Sequence, residues 1–205
     1  MDPSWLSNAY VVGDEVGGKA VFVDSGAPLE PLFEAVERDQ LTVTHLLTTH
    51  ADPDHVAGDD QVIVRYGVPV VKGPLETGGL AIDALPTPGH KDDHLAFVVN
   101  GEACFSGDVL FKDAVGGGNL EQIRRSVMDV LMKLPPETRV LPGHADETLV
   151  GRDCPAKDDQ FFRRPRELEL LRDARFAPMC RHAGFTLVSP SQLHDILSGG
   201  EAHAA

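Results

Sequence analysis

A dense group of side chains that can bind a metal ion follows an apolar run early in the chain. His50, Asp52, Asp54 and His55 fall within six residues, directly after the β-branched run 41–47. Imidazole nitrogens and carboxylate oxygens are common ligands of divalent metal ions in proteins. The alternative interpretation is a polar turn around a proline, because ordinary loops also collect Asp and His. The density of these residues favours a divalent metal site at the end of a strand.

Three further loops carry candidate ligands, and each follows a predicted strand. His90 ends a rigid turn with two prolines and a glycine, Asp108 follows a Ser-Gly pair, and His144 follows a Pro-Gly pair. Each of these motifs alone is usually an ordinary turn. Strand ends at one edge of a sheet lie close together, however, and clefts form there. The four loops in this order therefore predict one shared site.

Hydrophobic periodicity indicates the elements that must position these loops. The sequence predicts a hairpin from residues 8–12 and 20–23, strands over 41–47, 68–71, 80–85, 95–99, 103–105 and 139–141, and helices over about 29–36, 58–66 and 119–133. With this many strands, helices on only one face of the sheets would leave apolar strand surface uncovered. A sandwich of two sheets with outer helices is therefore the economical layout.

Composition limits the class of protein. The chain has 205 residues, 42% of them hydrophobic and 24% charged, which suits one large domain. The net charge of −14 repels nucleic acid and anionic membranes. Three widely spaced cysteines predict reduced thiols, and neither a signal peptide nor a membrane-length apolar run is evident. We expect a cytoplasmic protein that acts on a small molecule, without nucleic-acid or membrane partners, and leave a homodimer open.

The motifs divide the chain into a core and a tail. All four ligand loops lie in residues 1–151, which we predict to be the catalytic core. Residues 152–205 carry none of the ligand motifs, and a charged helix is predicted to begin near residue 163. We predict that this helical extension packs on the same domain.

The four motifs together resemble the metallo-β-lactamase superfamily, and within it the glyoxalase II-like hydrolases. They are residues 49–55, 87–90, 105–108 and 141–144, which read THADPDH, TPGH, FSGD and LPGH. Residues 8–12 and 23–26 also resemble the opening hairpin of that family. The resemblance covers roughly residues 5–151. It implies an α/β fold of the α+β type, an αββα sandwich with the metal site at one edge of the sheets.

The resemblance also implies two metal sites that share one carboxylate. The first metal site would take His50 and His90, with Asp52 as a further ligand. The second metal site would take Asp54, His55 and His144, and Asp108 would bridge the two sites. We expect two divalent metal ions in these sites, with zinc as the first choice.

The implied activity is that of a metal-dependent hydrolase. A metal-bound hydroxide would attack the carbonyl carbon of a thioester, lactone or ester, because a metal ion lowers the pKa of bound water to about 7. Asp54 would orient the hydroxide and move a proton, so Asp54 and Asp108 are the expected catalytic residues. Asp24 would orient a metal ligand through a hydrogen bond.

Asp52 is the departure from the family pattern, which usually has His at this position. An added oxygen ligand favours harder metals, so iron and manganese become alternatives to zinc. The flavodiiron branch carries Glu here, but Asp is shorter and could instead act through a water molecule. The alternative function is an iron-dependent oxidoreductase of the same fold, either persulfide dioxygenase-like or diiron. Against it, persulfide enzymes keep His here, and this chain lacks a flavin domain.

Other residues near the predicted cleft have simpler interpretations. We expect His94 to order its loop by hydrogen bonds, and Lys91 to be an ordinary residue of the rim. The loop 116–118 is three glycines, where glyoxalase II enzymes place basic and aromatic contacts to glutathione. Hydrolysis of a glutathione thioester is therefore not favoured. The net charge also argues against a nuclease, and the nearly complete ligand set argues against a non-catalytic relative.

Overall fold

The structure is a computed structural model that describes residues 7–112, 114–144 and 148–149. Its elements in chain order are β1 (Tyr10–Gly13), β2 (Lys19–Val23), α1 (Glu30–Arg38), β3 (Thr42–Leu47), α2 (Pro53–Val56), α3 (Asp59–Tyr66), β4 (Val70–Val71), β5 (Leu75–Thr77), β6 (Leu80–Pro86), β7 (Leu95–Val99), β8 (Ala103–Gly107), β9 (Leu110–Phe111), β10 (Ala114–Val115), α4 (Leu120–Arg125), β11 (Arg139–Pro142) and β12 (Thr148–Leu149). The predicted extension over residues 152–205 lies outside the described residues, and its packing stays a prediction.

Two mixed sheets form the inner layers. The first sheet has the strand order β1-β2-β3-β4, and the second has the order β12-β11-β8-β7-β6-β5. The predicted hairpin is confirmed, because β1 and β2 pair antiparallel with Tyr10 opposite Val23. β3 runs parallel to β2, and β11 runs parallel to β8. Parallel neighbours end at the same edge of a sheet, which gathers the loops that follow them.

Side-chain alternation along β2 explains how the first sheet is covered on both faces. Val21 and Val23 belong to a buried cluster that includes Phe97 of the second sheet. Phe22, between them, belongs to a different buried cluster with Phe33 of α1. Successive residues of a strand point to opposite faces, so β2 contributes to the core between the sheets and to the core under the helices.

The helix predicted over residues 119–133 is present but is not uniform. After α4 the chain continues as a π-helix over Ser126–Val130 and a 3₁₀ turn over Leu131–Lys133. The wider turn begins where the hydroxyl of Ser126 donates a hydrogen bond of 2.7 Å to the carbonyl oxygen of Pro88. This bond ties the helix to the loop after β6. Irregular turns of this kind often occur close to functional sites.

The arrangement confirms the predicted sandwich of two sheets with outer helices. Phe33 of α1 and Val62 of α3 share one buried cluster on the outer face of the first sheet. Ile123 and Leu131 are fully buried in the helical segment after β10. α1 is the longest α-helix in the described ranges, with nine residues. Within those ranges, no helix has the length and apolar character needed to cross a membrane.

Candidate metal centre

Each predicted ligand loop leaves the end of a strand, and the four loops meet. Thr49 follows β3, His90 follows β6, Asp108 follows β8 and His144 follows β11. The backbone amide of Leu95 donates a hydrogen bond of 2.9 Å to the carbonyl oxygen of Thr49, which joins the two sheets here. The structure therefore brings the predicted ligand residues together at one edge of the sandwich.

His50, Asp52 and His90 form the first group of candidate ligands. One ligand atom from each of them lies within 4.8 Å of the others. Oδ2 of Asp52 is 3.2 Å from Nε2 of His90 and 3.7 Å from Nε2 of His50. The short side chain of Asp52 therefore reaches both imidazoles directly.

Asp54, His55 and His144 form the second group, again with ligand atoms within 4.8 Å of one another. Nε2 of His144 is 3.4 Å from Oδ2 of Asp54. Asp108 lies between the two groups. Its Oδ1 is 3.2 Å from Nε2 of His55, and its Oδ2 is 3.3 Å from Nε2 of His144 and 3.8 Å from Nε2 of His90. The carboxylate of Asp108 therefore faces both groups.

The separations between these atoms fit shared metal ligands. Two ligands about 2.0–2.1 Å from a tetrahedral ion lie roughly 3.4 Å apart. Four pairs of ligand atoms, within each group or between Asp108 and the second group, are separated by 3.2–3.4 Å. Nε2 of His50, Nε2 of His55 and Oδ1 of Asp108 are buried and make no hydrogen bond of good geometry within the described residues. Buried polar atoms normally have a partner. A metal ion would satisfy all three.

Asp24 orients two of the imidazole rings. Its Oδ2 accepts a hydrogen bond of 2.8 Å from Nδ1 of His55 and another of 2.8 Å from the hydroxyl of Thr49. Because that hydroxyl uses its proton on Asp24, it accepts from Nδ1 of His50, which is 3.0 Å away. Both rings thus carry a proton on Nδ1 and turn Nε2 towards the centre, the arrangement that a metal-binding histidine needs.

The glycine loop between β10 and α4 orients a third ring. The carbonyl oxygen of Gly117 is 2.9 Å from Nδ1 of His90 and can only accept, so His90 also presents Nε2. Gly116 packs directly on the backbone of Asp108, and a Cβ at this position would lie 1.8 Å from the Asp108 carbonyl oxygen. The loop is therefore a support for two candidate ligands, a role that its sequence does not reveal.

Gly116→Ala should weaken zinc binding at the first metal site about tenfold, the usual scale for losing a group that orients a ligand. The added methyl group must push the loop away from Asp108 and draw the Gly117 carbonyl from His90. Competition with a chromophoric zinc chelator measures the change. Gly117→Ala is the matched control, because its Cβ would meet no atom within 4 Å. We expect the control to bind zinc within about twofold of wild type, and equal losses in both variants would contradict the supporting role.

Burial and neighbouring charges set the protonation of the centre. Burial lowers the pKa of His50 to about 4, and the charge on His55 adds to this effect. Burial also disfavours the charged form of His55, but Asp108 and Asp24 outweigh it and raise the pKa of His55 to about 10. Burial opposes ionisation of Asp108 as well, yet His55 holds the pKa of that carboxyl below its usual value. Without metal, a protonated His55 therefore lies between two carboxylates.

His94 lies behind the centre and is hydrogen-bonded at both ring nitrogens. Nδ1 is 2.8 Å from Oγ1 of Thr87, and Nε2 accepts a bond of 3.1 Å from the backbone amide of Asp108. Burial lowers the pKa of His94 to about 3, so the ring is neutral at pH 7. The ring links the loop after β6 to the loop after β8, and this is the hydrogen-bonding role that the sequence predicts.

Lys91 contacts the centre, whereas the sequence predicts an ordinary residue of the rim. Its Nζ is 2.7 Å from Oδ1 of Asp52. Burial opposes ionisation of Asp52, but the hydrogen bond from Lys91 holds the pKa of Asp52 below its usual value. The signal in the sequence was a lysine directly beside a candidate ligand, in a site with one carboxylate more than the family pattern requires.

This chain is similar to known proteins in sequence and in fold. Residues 3–81 match the profile of the metallo-beta-lactamase superfamily. A hydroxyacylglutathione hydrolase from Chromohalobacter salexigens is 32% identical, in an alignment that covers 82% of this chain and 77% of that protein.

Two solved structures are similar to this fold. The crystal structure of the BLEG-1 B3 metallo-β-lactamase aligns with a TM-score of 0.66 and 26% identity, over 71% of this chain and 90% of that chain. TTHA1623, solved in a di-iron-bound form, aligns with a TM-score of 0.62 and 26% identity, over 76% of this chain and 96% of that chain. With the relative at 32% identity, they show that this chain belongs to the metallo-β-lactamase superfamily, whose fold binds divalent metal ions in a binuclear site.

Proposed function

We propose that this protein is a metal-dependent hydrolase that attacks the carbonyl carbon of a small thioester, lactone or ester and cleaves its acyl C–S or C–O bond. The observation that carries the proposal is the convergence of inward-facing Nε2 atoms and carboxylate oxygens described above. Three of the rings, His50, His55 and His90, have their Nδ1 atoms held by hydrogen bonds that leave Nε2 available. The hydroxyacylglutathione hydrolase among the relatives supports the same class of reaction.

The ligand sets follow from the two groups. His50, Asp52 and His90 would hold the first metal ion, Asp54, His55 and His144 would hold the second, and Asp108 would contact both. Bound divalent ions supply a water molecule that ionises near neutral pH and a positive field for the oxyanion. Zinc is the first choice, because four histidines dominate the sets.

Asp54 is the residue best placed to move the proton. Its Oδ2 is 3.4 Å from Nε2 of His144 and 4.0 Å from Nε2 of His55, and its side chain is 17% exposed. It can therefore contact both the second metal site and a substrate that enters from solvent. Asp54 would accept the proton that the attacking water gives up as the new bond to the carbonyl carbon forms. It would then give that proton to the leaving sulfur or oxygen as the acyl bond breaks.

An iron-dependent oxidoreductase is the second candidate function. The direct reach of Asp52 Oδ2 to His50 and His90 favours it, since an added oxygen ligand suits a harder metal. The structural relative TTHA1623 in its di-iron-bound form supports the same possibility for this fold. The two candidates differ in their metal and in their need for oxygen.

Metal analysis combined with a substrate screen tests the proposal. The protein is purified without added metal, its metal content is measured by mass spectrometry, and thioesters, lactones and esters are tested for hydrolysis. We expect about two zinc ions per chain, and hydrolysis that a chelator removes and zinc restores. Hydrolysis that survives complete metal removal would contradict the proposal. Iron in the protein together with oxygen consumption and no hydrolysis would favour the oxidoreductase.

A further inference from the structure

The ion pair between Asp52 and Lys91 has no part in the proposed reaction. Nζ of Lys91 is 2.7 Å from Oδ1 of Asp52, and the other oxygen of the same carboxylate faces His90 and His50 at 3.2 and 3.7 Å. The carboxylate of Asp52 therefore faces two positions at which a cation can lie. One is the group of ligand atoms inside the centre, and the other is an ammonium group that the chain itself provides.

The position of Lys91 in the chain places its ammonium group beside the centre. Lys91 directly follows His90, whose ring is fixed by Gly117 at 2.9 Å. The ammonium group is thus carried by the same turn as a candidate ligand. Its side chain is 44% exposed and that of Asp52 is 26% exposed, so the pair lies where the centre opens to solvent.

We infer that Lys91 is a positioning residue that lowers the affinity of the first metal site by holding one oxygen of Asp52. The inference rests on the ligand sets given under the proposed function. A metal ion and the ammonium group are both cations, so each reduces the attraction of the other for the same carboxylate. With Oδ1 engaged by Lys91, Asp52 offers one oxygen to the first metal site. The first metal ion is then held more weakly than it would be without the ammonium group.

The opposite effect would be a gain in affinity from the orientation that Lys91 gives to Asp52. Exposed ion pairs contribute little, because solvent screens them and long side chains lose freedom in forming them. The repulsion between the ammonium group and a divalent ion is twice that between two single charges at the same short distance. Repulsion therefore dominates, and removing the ammonium group should tighten metal binding.

Zinc titration of Lys91→Met tests the inference in the full-length protein. Methionine keeps an unbranched side chain and removes the charge. Competition with a chromophoric chelator gives the zinc affinity of both sites, and Asp52→Asn identifies the first metal site as the one it weakens. We expect the first metal site of Lys91→Met to bind zinc about tenfold more tightly than wild type. We expect Lys91→Arg, which keeps the charge, to bind zinc no more tightly than wild type.

Lys72→Met is the matched control. Lys72 is 43% exposed and pairs with Asp93 at 3.1 Å, but Asp93 is not one of the candidate ligands. This variant loses the same charge from the same kind of ion pair, and its zinc affinities should stay within about twofold of wild type. Unchanged or weaker first-site binding in Lys91→Met, or an equal gain in Lys72→Met, would overturn the inference. A wild-type protein that binds no zinc would instead overturn the proposed ligand sets, so the two failures are distinct.

Discussion

Replacing Asp108 with asparagine should abolish hydrolysis while leaving the fold intact. Oδ1 of Asp108 is 3.2 Å from Nε2 of His55, and Oδ2 is 3.3 Å from Nε2 of His144. Asparagine keeps the size of the side chain but removes its charge and turns one ligand oxygen into an amide group that cannot bind a cation. We expect kcat/KM to fall at least about 10³-fold, or about 4 kcal/mol of transition-state stabilisation. We also expect the zinc content to fall from about two ions per chain to about one.

Asp83→Asn controls for the loss of one carboxylate. Asp83 is exposed on β6, so this substitution removes one carboxylate at a position away from the centre. Steady-state kinetics, zinc analysis and thermal unfolding are measured on both variants. The control should match wild type within about twofold in kcat/KM. An Asp108→Asn protein with full activity would remove Asp108 from the centre, and an equal loss in Asp83→Asn would point to a general effect of charge.

The ligand loops could be predicted because their signals are local. Largely apolar stretches of five to seven residues form β3, β6 and β8, and Thr, Pro or Gly stands at the point where each of these strands ends. A histidine or aspartate at such a point must lie at an edge of a sheet. Several loops of this kind in a fixed order then suffice to predict the gathered site without any knowledge of the strand order.

No local pattern marks the partners of those ligands, because they come from distant parts of the chain. Gly117 is 27 residues from His90, and its role was not predicted. Asp24 is 31 residues from His55, and its orienting role, which the structure confirms, was implied only by the family resemblance. Their contacts depend on the crossing of loops between two sheets, which no local pattern records. The strand predicted over 68–71 is shorter in the structure, where β4 has two residues, and β5, β9, β10 and β12 were not predicted. Two or three residues are too few to show alternation.

The account of Asp52 changes most when the structure is added to the sequence. The sequence counts Asp52 as one extra negative charge in the centre, and that charge carries the argument for iron or manganese. In the fold, Lys91 lies 2.7 Å from one oxygen of Asp52 and compensates the charge. The hardness of the oxygen ligand remains, but the electrostatic part of the preference for another metal is reduced.

Asp24→Asn should lower the zinc affinity of the second metal site by about 100-fold. The carboxylate accepts three hydrogen bonds of 2.8 Å, from the amide and the hydroxyl of Thr49 and from Nδ1 of His55. Asparagine can present an oxygen to only one side. If its NH₂ group faces the Thr49 amide, two donors oppose each other. If the NH₂ group faces His55, that ring must move its proton to Nε2, the atom that a metal ion needs.

The substitution adds no backbone strain, because Asp24 has a φ of 55° and asparagine tolerates that region as well as aspartate does. Asp59→Asn is the matched control, since Oδ1 of Asp59 accepts a bond of 2.6 Å from the hydroxyl of Ser25 and is not one of the candidate ligands. Chelator competition should place the control within about twofold of wild type. Unchanged zinc affinity in Asp24→Asn would show that His55 keeps its orientation without Asp24. The packing around the fully buried ring would then fix that orientation.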